Sequence, residues 1–223
     1  MTPFPAYIAL IFGITTLVTV CWFFLASRSK TFLLVAVCWT LLQAVLGYAG
    51  VYEDAMTIPP RIMVMGVLPA ILMIVVAFNT RKGRMFIDGV SLKTLTAMHT
   101  IRIAVEVVLA LLYHQGAVSR YMTFEGTNFD ILSGLTALPV AVLAFRAHKL
   151  NRKMLLVWNV VCLLLLLNVV ITALFAVPTP FQLISMNQPN VAVLYFPFHL
   201  LPTVVVPLVL FAHLIVIRKL RRI

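Results

Sequence analysis

Apolar runs about twenty residues long, broken by short polar stretches, organise this chain from end to end. Seven can be drawn, at 5–26, 31–50, 61–79, 92–114, 128–147, 154–176 and 191–217. About twenty mostly apolar residues suffice for a helix to cross a bilayer. Polarity is sustained only between the runs, which predicts an all-α, polytopic membrane domain of seven transmembrane helices over 1–223.

The polar stretches also predict direction. One alternating set carries Arg28 and Lys30, then Arg81, Lys82, Arg84 and Lys93, then Arg146, Lys149, Arg152 and Lys153, and finally Arg218, Lys219, Arg221 and Arg222. The opposite set holds Arg61 and Arg120, and Arg102 lies inside the fourth run. Basic residues collect on the cytoplasmic side, so a split of 14 to 2 places the N-terminus outside and the C-terminus inside. Six or eight spans would scramble it. The first run lacks a basic leader and is read as a retained helix.

Composition agrees. Of 223 residues, 63% are hydrophobic and 10% charged, and mean hydropathy is +1.09. A soluble domain of this size has too little interior for that apolar load. The net charge of +11 does not indicate nucleic acid, because the basic residues cluster between spans instead of along one face. Cys21, Cys38 and Cys162 all lie in apolar runs, so free, buried thiols are expected.

Weak internal echoes suggest a three-plus-one-plus-three parallel repeat, a plan known among transporters. Gly13-Ile14-Thr15 resembles Gly134-Leu135-Thr136, Trp39 matches Trp158, Leu68-Pro69 resembles Leu201-Pro202, and Arg81-Lys82 resembles Arg218-Lys219. Shared composition among apolar helices produces similar echoes.

Ionisable residues at membrane depth are costly and point to function. His99, Arg102 and Glu106 fall at spacings of three and four, on one face of the fourth helix. Either Arg102 and Glu106 pair with each other or one reaches to another helix. Gln43, Asn168 and His199 lie at comparable depth, with Thr15, Thr16 and Thr19 as further partners. Asn128, Asp130 and His114 lie nearer the outer surface. Together these residues are expected to line a polar cavity open to the outside. For each alone, an interhelical hydrogen bond is the competing account. Pro197, Pro202 and Pro207 loosen the seventh helix around His199.

Several signatures are missing. The seventh helix has no lysine for a retinal Schiff base and no HxxxH pair. Ser133-Gly134 with His199 lacks the flanking glycine of an intramembrane serine–histidine dyad. Gln188-Pro189 reverses the Pro-Gln order of the sugar-transporter and PQ-loop families. The strings TFEGTNFDILSGLTAL (123–138) and QPNVAVLYFPFHLLP (188–202) resemble those of uncharacterised bacterial membrane proteins. That resemblance implies no activity.

Three functions remain open. The first is a transporter or binder of a small polar or anionic solute in the bacterial inner membrane. There Arg102 supplies charge, Glu106 couples protons and His199 is a hydrogen-bonding or titrating partner. This reading calls for no catalysis and no cofactor, while enzyme chemistry stays open in the second. The second is a membrane-embedded enzyme or a haem or metal redox subunit using His99, His114, His199 and His213. The third is a sensor or assembly factor acting through its outer loops and basic tail. The partners expected are the lipid bilayer and a small polar solute, with a homo-oligomer allowed and nucleic acid excluded.

Overall fold

The computed structural model describes residues 4–146 and 150–222. Lys149 and the end of the fifth run at Ala147 lie outside them. Among the described residues the chain is helical, without strands. The helices are α1 (Ala6–Ser27), α2 (Lys30–Tyr48), α3 (Leu68–Asn79), α4 (Arg81–Gly89), α5 (Leu92–Met98), α6 (Ile101–His114), α7 (Ile131–Leu143), α8 (Arg152–Ala176) and α9 (Val206–Arg222).

Five helical stretches are long and apolar enough to cross a membrane: Ala6–Ser27, Lys30–Tyr48, Leu92–His114, Arg152–Ala176 and Leu201–Arg222. Their outward faces carry Leu10, Leu34, Val45 and Leu164, all well exposed. An exposed surface this apolar is stable against lipid tails and not against water, so the fold is compatible with a multi-pass membrane protein. Cys21 and Cys38 are on exposed faces and only Cys162 is buried; all three thiols are free. The expectation of buried thiols therefore holds for one of the three, because an apolar run does not reveal which face turns outward.

Two of the seven runs fold differently from a plain span. The third continues past Asn79 into α4, bent by 89° from the helix before it. Thr80 caps the new helix through Gly83 N–H at 3.2 Å. Gly83 lies so close to the Ala77 backbone that a Cβ there would overlap it. Residues 81–89 are therefore an amphipathic helix, with Ile87 buried and Arg81, Lys82 and Arg84 exposed, instead of a simple charged loop. Asp88 at its end pairs with Arg218 at 3.4 Å, and Lys219 donates to the Asp88 and Val90 carbonyls at 2.8 and 2.6 Å. Part of the basic tail is thus engaged within the protein.

The fifth run yields only the 13 residues of α7, about 20 Å of helix against a hydrocarbon core of about 30 Å. Residues 117–130 precede it outside any α-helix. They fold inward above α7, burying Ser119, Met122, Thr123, Asn128 and Asp130.

A π turn opens the helical part of both the third run (Met63–Val67) and the seventh (Leu201–Val205). Each is followed, two residues on, by a proline, Pro69 or Pro207. A proline has no N–H for the carbonyl four residues earlier. The two freed carbonyls, of Met65 and Thr203, are satisfied from α2: Gln43 Nε2 donates to Met65 O at 3.0 Å, and Trp39 Nε1 donates to Thr203 O at 2.9 Å. The local geometry thus matches Pro69 with Pro207, not with Pro202. Wider packing differs, since α8 lies closely along α9 whereas α2 makes little contact with α3.

Candidate functional site

The Arg102 side chain is the largest polar group in the interior, with 2% of its surface exposed. It comes from the first turn of α6, just after a break in the fourth run at His99-Thr100. A guanidinium buried among apolar helices needs an acceptor for its charge. Asp130, immediately before α7, supplies it. Arg102 Nε donates to Asp130 Oδ2 at 2.5 Å, and Nη2 donates to Oδ1. The pair is bidentate, the geometry that suits a planar guanidinium best. Asp130 also stands at the N-terminus of α7, where the helix dipole favours an anion. The Cys162 carbonyl accepts from Nη2 at 3.3 Å.

The third partner is His213 of α9. Arg102 Nη1 lies 3.0 Å from His213 Nε2. Arginine only donates, so His213 Nε2 accepts and the ring carries its proton on Nδ1. That proton goes to Asn159 Oδ1 of α8 at 2.9 Å, and Asn159 Nδ2 donates back to the His213 carbonyl at 3.0 Å. His99 stacks on His213 with ring centroids 4.1 Å apart and meets the edge of Trp158 at 5.6 Å.

Glu106 lies one turn further along α6 and is not bonded to Arg102. Its Oε1 accepts from Asn128 Nδ2 at 2.5 Å. Asn128 also donates to Met122 O at 2.9 Å and accepts from the Asp130 N–H at 2.9 Å. The Arg102–Glu106 pair allowed by sequence spacing gives way to two crossed bonds, Arg102 to Asp130 and Glu106 to Asn128. The inward fold of 117–130 makes this so, and it buries Asn128 and Asp130 against Glu106 and Arg102. Four buried polar groups around this cluster lack a hydrogen-bond partner among the described residues: both ring nitrogens of His99, Glu106 Oε2, and the Ser133 hydroxyl.

His199 and Gln43 form a second, separate cluster nearer the other end of the bundle. His199 lies in the turn that precedes the Leu201–Val205 π turn, outside α9, which carries His213. His199 Nε2 donates to the Gln43 carbonyl at 2.8 Å, while Nδ1 is buried without a partner among the described residues. Gln43 Oε1 accepts from the Tyr52 hydroxyl at 2.7 Å. Gly47 permits the ring's approach, since a Cβ there would overlap it. Burial pushes the Tyr52 phenol above its ordinary value, and the bond to Gln43 opposes this more weakly.

The remaining sequence candidates lie elsewhere. His114 is exposed, 3.3 Å from exposed Glu125. Asn168 is exposed on α8 and donates to Thr127 O at 3.1 Å. Thr15, Thr16 and Thr19 bond back to Ile11, Phe12 and Thr15 carbonyls of their own helix, as buried helical threonines often do. Ser133 and His199 belong to different clusters, so the serine–histidine dyad is not formed.

Sequence reasoning missed Asn159 and gave His213 only a haem- or metal-ligating role. The signal for both was the same as for Asn168, a polar residue in an apolar run. Asn159 and Asn168 are nine residues apart, which puts them on roughly opposite faces of a helix. Because α8 is apolar on every side, its sequence does not choose between them. His99 and His213 do face each other, but they stack through their faces. A bis-imidazole haem site instead needs two nitrogens converging on one iron. No group of three or more metal-ligating side chains converges among the described residues.

The fold and this interior define a class: an all-helical chain with several helices long and apolar enough to cross a membrane, packed around a buried Arg–Asp–His–Asn network. The chain belongs to the family described as Domain of unknown function (DUF8737), whose model matches residues 59–221. The match contains both halves of the network, from His99 and Arg102 to His213. No curated protein and no solved structure matches the chain.

Proposed function

We propose that this protein crosses the bacterial inner membrane seven times, N-terminus outside and C-terminus inside, and moves a small polar or anionic solute coupled to protons. In this reading α7 crosses only part of the bilayer, and residues 117–130 replace the outer remainder of the span. Discontinuous helices whose ends meet near mid-membrane are a recurrent way to build solute sites.

One observation carries the reading. Among the described residues, Glu106 Oε2 and both His99 nitrogens are buried without partners, beside a charged pair that is itself nearly sealed from the surface. Unsatisfied polar groups at membrane depth cost several kcal/mol in hydrocarbon, and a purely structural cluster gains nothing from leaving them open. They are sites where a proton or a polar solute gains bonds. Arg102 is the anion-binding group and Asp130 its resting counter-ion, displaced when a solute anion enters. Glu106 is the proton-coupling carboxylate. His199, in the second cluster, is a hydrogen-bonding partner on the outer route.

Proteoliposomes loaded with a pH-sensitive dye test this, with acetate, lactate and inorganic phosphate added outside as probes. The unaltered protein is expected to give a proton flux with at least one probe, lost in Glu106→Gln and Arg102→Ala. No flux from the unaltered protein with any probe, or equal flux in both variants, overturns the proposal.

A further inference from the structure

A cavity of about 460 Å³ opens between α2, α3 and α9, away from the polar network. Its walls are almost wholly apolar and include Val35, Trp39, Ala70, Ile74, Pro207 and Phe211. Its volume is within the range of roughly 300–1,000 Å³ typical of small-molecule sites. The cavity lies in the seam that α2 leaves by leaning on α1 and on the π turn before α9 while barely touching α3. In a membrane that seam faces the acyl chains.

Its rim at the basic end of the bundle is chemically different. Lys82 of α4 borders the cavity together with Ser29 and Thr31 at the start of α2. Arg81 and Arg84 flank Lys82 on the exposed face of α4. None of these three cations forms an ion pair among the described residues. Phe86 of the same helix stacks between Phe32 and Phe211, at 5.7 and 6.2 Å, and so fixes α4 as the cavity's floor. A surface helix with a basic face and an apolar face lies in the headgroup plane.

We propose that this cavity is a binding site for an anionic membrane phospholipid. One acyl chain lies along the apolar seam, and the phosphate is held at Lys82 with the Ser29 and Thr31 hydroxyls beside it. Charge complementarity selects the occupant, since a zwitterionic lipid brings a choline or amine cation to the same three basic residues. The site rests on the membrane reading but not on solute transport, and it stands or falls separately from proton flux.

Native mass spectrometry of the full chain, equilibrated in detergent with equal amounts of phosphatidylglycerol and phosphatidylcholine, reads the preference directly. One basic residue near an anionic headgroup corresponds to about fivefold, so phosphatidylglycerol is expected to be retained at least about fivefold over phosphatidylcholine. Lys82→Glu and the cavity-filling Ala70→Phe are each expected to remove that preference, with unchanged helical circular dichroism as the folding control. If Ala70→Phe does not fold, Ala77→Phe fills the cavity nearer its rim. Equal retention of the two lipids by the unaltered chain overturns the proposal. So does a preference that survives cavity filling, which would place the lipid on the basic surface alone.

Discussion

Removing the Asp130 carboxylate strands the Arg102 guanidinium in the interior. With Asp130→Ala, Arg102 keeps only the neutral acceptors His213 Nε2 and Cys162 O, at 3.0 and 3.3 Å. Breaking a buried pair from one side costs about 3–5 kcal/mol, because the surviving charge is uncompensated. The two single variants differ within that range. Arg102→Leu leaves the Asp130 carboxylate at the start of α7, where the helix dipole returns about 0.3–1 kcal/mol. Asp130→Ala leaves a cation with no such help. The expected losses are therefore about 4–5 kcal/mol for Asp130→Ala and about 3–4 for Arg102→Leu. The double variant removes both charges and should lose no more than the milder single, since apolar replacement of a whole buried pair is often neutral. Unfolding in mixed micelles of rising SDS fraction, followed by far-ultraviolet circular dichroism, gives all four corners of the cycle. A parallel cycle with Glu106→Gln serves as a control and should show the weaker coupling to Arg102, because no bond joins them. Losses that add to within about 0.5 kcal/mol, or stronger coupling of Arg102 to Glu106 than to Asp130, would refute the arrangement.

Two further outcomes follow from the second cluster. Gly47→Ala places a methyl group on the His199 ring and is expected to cost about 1–3 kcal/mol through overpacking; the same SDS titration measures it, and an unchanged midpoint would show that α2 and the His199 segment are not in contact there. Tyr52 titrates above the ordinary 10.0, so the stability it contributes is whole below that pH and is lost only as pH rises through the higher folded value. Tyr52→Phe should lose about 1 kcal/mol at neutral pH and abolish this alkaline step, and a step that survives in the variant must belong to another group.

What could be read from the chain was the helical class, the approximate limits of four of the long helices, and the placing of His99, Arg102 and Glu106 inside an apolar helix, where all three are buried. Hydrophobic run length and the cost of intramembrane charge are local, one-dimensional signals. α1, α2 and α8 follow their predicted runs to within a few residues. The fourth run is helical over its full predicted length apart from the break at His99. Pairing was not legible. The i,i+4 spacing of Arg102 and Glu106 offered a bond inside one helix, whereas the formed bonds go to Asp130 and Asn128, over twenty residues away.

The sequence by itself determined that most of this protein lies in apolar helices, because every backbone polar group in such a setting must be satisfied within the segment. It also determined where charge is buried, because a charge inside an apolar run has nowhere else to go. Only the tertiary structure decided that the fifth run is a short helix topped by an inward-folded segment, that Asn159 and not Asn168 faces the interior, and that the polar residues form two clusters instead of one cavity. Each of these depends on which side of an apolar helix meets another helix. In a chain apolar on nearly every face, hydrophobicity carries no information about that choice, and packing, proline-freed carbonyls and the demand of Arg102 for a counter-ion settle it.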